Sequence, residues 1–382
     1  MSWLTATYAI ESEPERIGER AQALALEQSI ECPLEAVGDR RILDEIVARV
    51  GSIAQVAERR FLVEVHIAAE TIGANPAQFI NMVFGNCSLW EDVQLVDLDL
   101  PAQVLETFPG PRHGMAGIRS LLLAPARPLT STAIKPQGLP VSELVRICST
   151  FALAGVDIVK DDHGIADQAY SPFAERVPVC QAAVAEARSI TGKNVLYAPN
   201  LIGTPRVLRE HARIAREAGV RAVLVAPMVV GLPAFCDLVD EFPEFVYLAH
   251  PSFAGSARIA APLLFGRLFR LFGADAVIFV NYGGRFSYAP QVCAALAQAL
   301  RAPWKHVRAV CPVPAGGMLL ERVPELLDFY GPDTMLLIGG NLLIARDRLL
   351  ERTREFVQAV HEHEFSAPAS GPGFLDLLAQ VP

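Results

Sequence analysis

Gly155-Val156-Asp157-Ile158-Val159-Lys160-Asp161-Asp162-His163 places a lysine, two acids and a histidine at the end of an apolar run. The run reads as a buried β-strand. Side chains alternate across a strand, so Ile158, Lys160 and Asp162 share one face while Val159 and Asp161 share the other. A lysine turned into a strand-lined interior must find a partner or lose its charge. Two readings are open at this point: a buried lysine–carboxylate ion pair, or half of a magnesium site built from oxygen donors.

Runs of the same kind recur on either side. Ser131–Pro136, Asp157–Asp162, Asn194–Asn200, Val220–Pro227, Phe245–Pro251, Ala276–Asn281, Val307–Pro312 and Thr334–Gly340 alternate with amphipathic helical stretches such as Arg206–Ala218. This rhythm predicts an α/β fold, a C-terminal (β/α)8 TIM barrel, over residues 116–365. Polar residues gather where the strands end: Lys135, Lys160 with Asp162, Asn200, His250 and Asn281. Active sites of such barrels form at that face. The pairs Gly316-Gly317 and Gly339-Gly340 follow the last two strands, where bare backbone N–H groups suit a phosphate.

Residues 1–115 read as a small N-terminal α+β domain, ferredoxin-like by analogy. Its expected elements are strands at Leu4–Ile10, Phe61–Ala69 and Val93–Leu100, and helices at Pro14–Ser29 and Asn75–Phe84. A tail, 366–382, loses all pattern. The chain has 382 residues, 52% apolar, with a net charge of −9. That charge argues against nucleic acid or an anionic membrane as partner. The seven cysteines include no C-x-x-C, and several sit within helical or strand patterns. They read as reduced thiols, which with the absence of a signal-peptide layout gives a cytoplasmic expectation.

The lysine-bearing stretch resembles the G-x-D-F-x-K-D-D-E segment of the RuBisCO large chain family. Thr132-Ala133-Ile134-Lys135-Pro136 resembles that family's T-x-K-P-K segment. Glu27-Gln28-Ser29, Gly85-Asn86, Ala315-Gly316-Gly317 and Gly339-Gly340 follow in the family's order. Departures place the chain among the RuBisCO-like proteins, which do not fix CO2. Gln137 replaces the second lysine of the T-x-K-P-K segment, and His163 replaces the second metal-binding acid.

The resemblance implies a site and a chemistry. Lys160, carbamylated by CO2, would hold Mg2+ with Asp162 and His163. Lys135 would pass a proton, and His250 would polarise a carbonyl. Arg285, at the place of the family's mobile-loop lysine, would suit a carboxylate. Gly316, Gly317, Gly339 and Gly340 would hold a phosphate. Glu27 and Asn86 would contact the substrate across a homodimer with shared active sites. The family's second phosphate site falls on Pro251, Ile278 and Ala315, which carry no charge. The implied substrate is a sugar phosphate with one phosphate, turned over through a magnesium-stabilised enediolate. The first expectation is decarboxylation of a 3-oxo sugar-acid phosphate of the 3-oxoisoapionate 4-phosphate type. The alternative is isomerisation or enolisation of a methylthio-pentulose phosphate, as in methionine salvage. A third is a non-catalytic sugar-phosphate-binding protein.

Overall fold

The computed structural model describes residues 2–124, 127–286 and 288–365. The tail expected at 366–382 lies outside the described residues. The chain divides into two compact units, one running to Pro109 with Ala254–Leu264 added, the other beginning at Gly110 and taking the remainder.

In the first unit the order is β1 (Trp3–Glu11), α1 (Ile17–Glu27), β2 (Arg49–Ala57), β3 (Arg60–Ala68), α2 (Pro76–Phe84) and β4 (Val93–Asp99). The sheet is antiparallel with strand order β2-β3-β1-β4, the ferredoxin-like arrangement. β3 buries Phe61, Val63, Val65 and Ile67 and turns the residues between them outward. That period of two is what made it legible. α2 starts where expected. The Asn75 side-chain oxygen accepts from the amides of Ala77 and Gln78 at 2.9 and 3.0 Å, with Pro76 at the first helical position. α1 begins later than expected, at Ile17, so Pro14 stands in a turn ahead of the helix. Within the same unit, Leu95 of β4 donates to Arg258 and accepts from Ala260, which ties the 254–264 segment to the sheet edge.

The second unit holds the parallel strands β5 (Leu129–Ile134), β6 (Ile158–Asp161), β7 (Leu196–Ala198), β8 (Asn200–Leu201), β9 (Ala222–Val225), β10 (Val246–Ala249), β11 (Ala276–Val280), β12 (Cys311–Ala315) and β13 (Met335–Leu337). β7 and β8 are one barrel strand interrupted at Pro199. This is the (β/α)8 arrangement, with its hydrogen bonds split into the sheets β13-β5-β6-β7 and β8-β9-β10-β11-β12. Among the helices around it are α3 (Gly114–Leu122), α4 (Val141–Ala154), α5 (Phe173–Thr191), α6 (Pro205–Glu217), α7 (Leu232–Glu241), α8 (Pro290–Arg301), α9 (Val323–Tyr330) and α10 (Leu349–His361).

The barrel interior is packed in layers. Ile158, Leu196, Ala222, Val246, Ala276, Cys311 and Met335 fill it near the strand starts, and Ala198, Leu224, Leu248, Ile278, Val313 and Leu337 fill it further along. Met115, Ile118 and Leu122 of α3 belong to the same core and close its floor. The interior is therefore apolar up to the strand ends apart from the buried hydroxyl of Ser131, level with Ile158, and charged side chains enter at the mouth.

One strand lies away from its expected place. The run Val307–Pro312 gives way to Cys311–Ala315, which contains Pro312 and Pro314. Proline argues against a strand when its missing N–H would break a ladder. Here the Cys311 amide donates to Asp275 on the β11 side, so alternate positions Pro312 and Pro314 face β13, with which β12 packs without a hydrogen-bonded ladder. No described helix is long and apolar enough to cross a membrane. All seven cysteines are free thiols, and every one except Cys32 is buried.

Candidate active site at the barrel mouth

β6 brings Lys160 and Asp162 to the mouth on the face that begins with Ile158, as alternation requires. Ile158 lies in the barrel core, and Lys160 and Asp162 are 3% and 8% exposed. Asp161 faces the other way and is fully buried behind the strand. It accepts from Tyr197 Oη at 2.8 Å and from Arg176 Nη2 and the Asn200 amide, both at 3.1 Å.

Lys160 donates to the Asp161 backbone carbonyl at 3.1 Å. Burial, with the charge of Lys135 adding to it and Asp162 opposing, pushes its ammonium down to about 8. An amine in that range keeps a neutral fraction near neutral pH. Asp162 takes its cation from the neighbouring strand: Lys135 Nζ lies 2.5 Å from Asp162 Oδ1. His163 Nδ1 is 3.5 Å from the same oxygen. Burial alone would raise the Asp162 carboxyl, but hydrogen bonds to His163 and Lys135 and the charge of Lys160 prevail and hold it well below the usual carboxylate range.

His163 and His250 stack face to face, with ring centroids 4.3 Å apart and planes 14° from parallel. Their strands are far apart in sequence, and only barrel closure brings them together. His250 Nδ1 accepts from the Ser252 amide at 3.2 Å and lies 2.8 Å from the Ser252 hydroxyl. The nitrogen that accepts an amide proton carries none, so the neutral ring holds its proton on Nε2. Burial, and then the charges of Lys160 and His163, push this imidazole down to about 2. His250 is a neutral hydrogen-bond donor at the mouth.

The glycines follow β12 and β13 as expected. Gly316 and Gly317 adopt φ of +92° and +76°, which bulkier residues avoid. The turn is packed against the loop after β11. The Arg285 amide donates to Gly316 O at 3.2 Å, and the Phe286 ring lies against Gly316. The Arg285 side chain is exposed, its guanidinium carbon 4.9 Å from the centre of the Phe286 ring. Gly339 sits beside Lys135: a Cβ there would meet Lys135 Cε at 3.6 Å. Gln137 lies over Gly164, whose missing side chain makes room for it. Of the positions aligned with the family's second phosphate site, Ile278 is buried in the barrel core and Ala315 packs on that core.

Glu27 and Asn86 meet in the first unit. Asn86 donates its amide to Glu27 at 2.9 Å and also to Glu31. Together with Gln28, Ser29, Ile30, Asn81 and Met82 they line a polar cleft of about 200 Å³. The sequence singled out Asn200 as a strand-end residue, but not Glu31, Ser252 or the other partners of Asp161, Arg176 and Tyr197. Ser252 follows His250 by two residues, a spacing that suits a hydroxyl-to-ring contact. Arg176 and Tyr197 carry no such local signal.

Among the described residues no group of three or more His, Cys, Asp and Glu side chains forms a ready-made metal cage. Asp162 and His163 supply two donors, and Lys160 supplies a third only as its carbamate. With that modification the donor set of carboxylate, carbamate and imidazole fits a divalent cation, with one carboxylate fewer than an all-acid site.

A family description, the ribulose bisphosphate carboxylase large chain, catalytic domain, matches residues 114–343. The ribulose bisphosphate carboxylase-like protein 1 of Rhodopseudomonas palustris is 49% identical over 360 residues, 94% of this chain and 98% of its own. The 5-methylthioribulose-1-phosphate isomerase of Rhodospirillum rubrum is 49% identical over 358 residues, covering 94% and 96%. The crystal structure of a Rubisco-like protein from Rhodopseudomonas palustris superimposes with a TM-score of 0.90 at 50% identity, covering 96% of this chain and all of that one.

Proposed function

The chain belongs to the RuBisCO large chain family as a RuBisCO-like enzyme, and from that premise we propose that it moves a proton on a singly phosphorylated methylthio-pentulose, as an isomerase or enolase. The observation that carries this reading is the apolar far end of the site. Ile278 is buried in the barrel core and Ala315 packs on that core, with no charged group at either position to receive a second phosphate or a carboxylate. A thioether tail suits such a surface. The relative from Rhodospirillum rubrum, named for 5-methylthioribulose 1-phosphate, supports the same choice.

The decarboxylation expectation gives way to its alternative. It leaned on Arg285 as a carboxylate partner, and Arg285 is exposed with its guanidinium over Phe286.

In this reading Lys135 carries the proton to and from the carbon beside the substrate carbonyl, and its contact with Asp162 holds its amine at the mouth. His250 donates its Nε2 proton in a hydrogen bond to a substrate oxygen, and its neutrality keeps it from protonating that oxygen outright. The amides of the Gly316-Gly317 and Gly339-Gly340 turns receive the phosphate. Asp162, His163 and carbamylated Lys160 would hold Mg2+, which when bound polarises a carbonyl oxygen. Glu27 and Asn86 of a second copy complete the site in the homodimer that the resemblance implies.

Turnover of 5-methylthioribulose 1-phosphate in deuterated water tests the proposal. The expected result is a pentulose phosphate isomer or an enol product, with proton exchange at the carbon next to the carbonyl. Release of CO2 from a 3-oxo sugar-acid phosphate, with the methylthio sugar untouched, would reject it. Tight binding of sugar phosphates with no turnover and no effect of Mg2+ would replace it with a sensor.

A further inference from the structure

We propose that the buried cage around Asp161, built from Arg176, Tyr197 and Asn200, is a positioning device for the Asp162–His163 pair. The inference rests on the reading that this pair holds a divalent cation.

Asp161 and Asp162 are neighbours on one strand and point to opposite faces. Whatever fixes one fixes the rotation of the strand end, and with it the aim of the other. Asp161 is held by donors from a helix and from both halves of the neighbouring interrupted strand. Arg176 comes from α5 at 3.1 Å, Tyr197 from β7 at 2.8 Å, and the Asn200 amide from β8 at 3.1 Å.

The same groups also stitch down the loop that follows. Arg176 donates to the carbonyls of Ala166 at 2.9 Å and Ser171 at 2.7 Å, and to the Ser171 hydroxyl at 3.0 Å. The Asn200 side chain donates to the carbonyls of His163 and Ile165, each at 2.9 Å. His163 is thereby fixed through its own backbone, and its ring lands on His250.

Both side chains of the Arg176–Asp161 pair are fully buried. An ion pair so deeply buried is a poor source of stability, since a well-packed apolar pair commonly serves as well or better. What it supplies here is a fixed direction for the two residues next along the chain.

Tyr197→Phe, Arg176→Lys and Arg176→Met test this. Mg2+ affinity is measured by calorimetry in bicarbonate buffer, and thermal unfolding is followed without metal. Loss of an outer partner commonly weakens a metal site about 10- to 100-fold. Arg176→Met should fall in that range and Arg176→Lys should recover part of the loss. Tyr197→Phe keeps the ring and removes one hydroxyl. It should weaken Mg2+ binding while unfolding close to the wild-type temperature, and it serves if Arg176→Met does not fold. Variants that melt earlier yet bind Mg2+ as the wild type does would overturn the inference alone. A wild-type protein that binds no Mg2+ would sink the metal reading and the inference with it.

Discussion

Lys160 sits at 3% exposure, and the acid beside it already has Lys135 at 2.5 Å. Keeping that ammonium charged costs free energy, and removing it relieves the cost. Lys160→Ala should therefore abolish metal- and bicarbonate-dependent turnover, by about 10³-fold or more in kcat/KM if the metal-holding oxygen is lost. The variant should unfold at or above the wild-type temperature, and both quantities can be read on one preparation. His250 carries a second expectation. With its imidazole pushed down to about 2, it stays neutral from pH 5 to about 9. Nitrogen-15 NMR should show an unprotonated Nδ1 and a protonated Nε2 that do not titrate in that window. Much of this was legible. Alternation along one strand put Lys160 and Asp162 together from the sequence alone. The stack of His163 on His250 was not, because no local periodicity records which strand ends a closed barrel makes neighbours.

Strands with a regular burial period or a continuous apolar run were found by pattern, and one with neither was missed. β2 (Arg49–Ala57) is exposed along nearly all its length, and Gly51, Ser52, Ala54 and Gln55 give no alternation to read. β12 was displaced because its prolines look like breakers until the neighbour on their silent side is known. At the floor of the barrel, Asp157 joins elements that sequence leaves unconnected. It accepts from Arg127 at 2.7 and 2.9 Å, from the Thr130 amide at 2.9 Å, and lies 3.1 Å from His361 Nε2 at the end of α10. Burial opposes its charge, but Arg127 and His361 overcome that and hold its carboxyl down at about 2. An unfolded aspartate titrates near ~3.9. The stability this group contributes is thus full above about pH 4 and is lost as pH falls toward about 2. Asp157→Asn should cost on the order of 2 kcal/mol at neutral pH. Wild type and variant should converge between pH 4 and 2 in acid-dependent denaturant melts. A constant gap across that range would count against the assignment.

For the whole molecule, a small α+β domain followed by eight βα units was readable, since most elements carry a periodicity or an apolar run of their own. The assignment of Ala254–Leu264 to the first unit was not, because it depends on Ile259 pairing with Leu95 of β4, far away along the chain. Substrate choice belongs to this scale as well, since it reflects several strands at once. Each charge-assisted hydrogen bond to a phosphate contributes roughly 1.5–3 kcal/mol. With Pro251, Ile278 and Ala315 at the far end, ribulose 1,5-bisphosphate should bind at least ~10- to 100-fold more weakly than a methylthio-pentulose monophosphate. Competition calorimetry at fixed Mg2+ would measure it, and equal affinities would refute the apolar far end.

The prolines of β12 have a mechanical consequence. β12 and β13 are adjacent staves with no main-chain ladder between them, and each ends in one of the two glycine turns. What joins them is side-chain bonding: the Asn341 side chain, next to Gly340, donates to the carbonyl of Met318, next to Gly317, at 2.6 Å, and the Thr334 hydroxyl donates to the Pro312 carbonyl at 3.2 Å. Among the described residues a barrel otherwise hooped by backbone pairing is closed here by side chains, at the seam that carries both glycine turns.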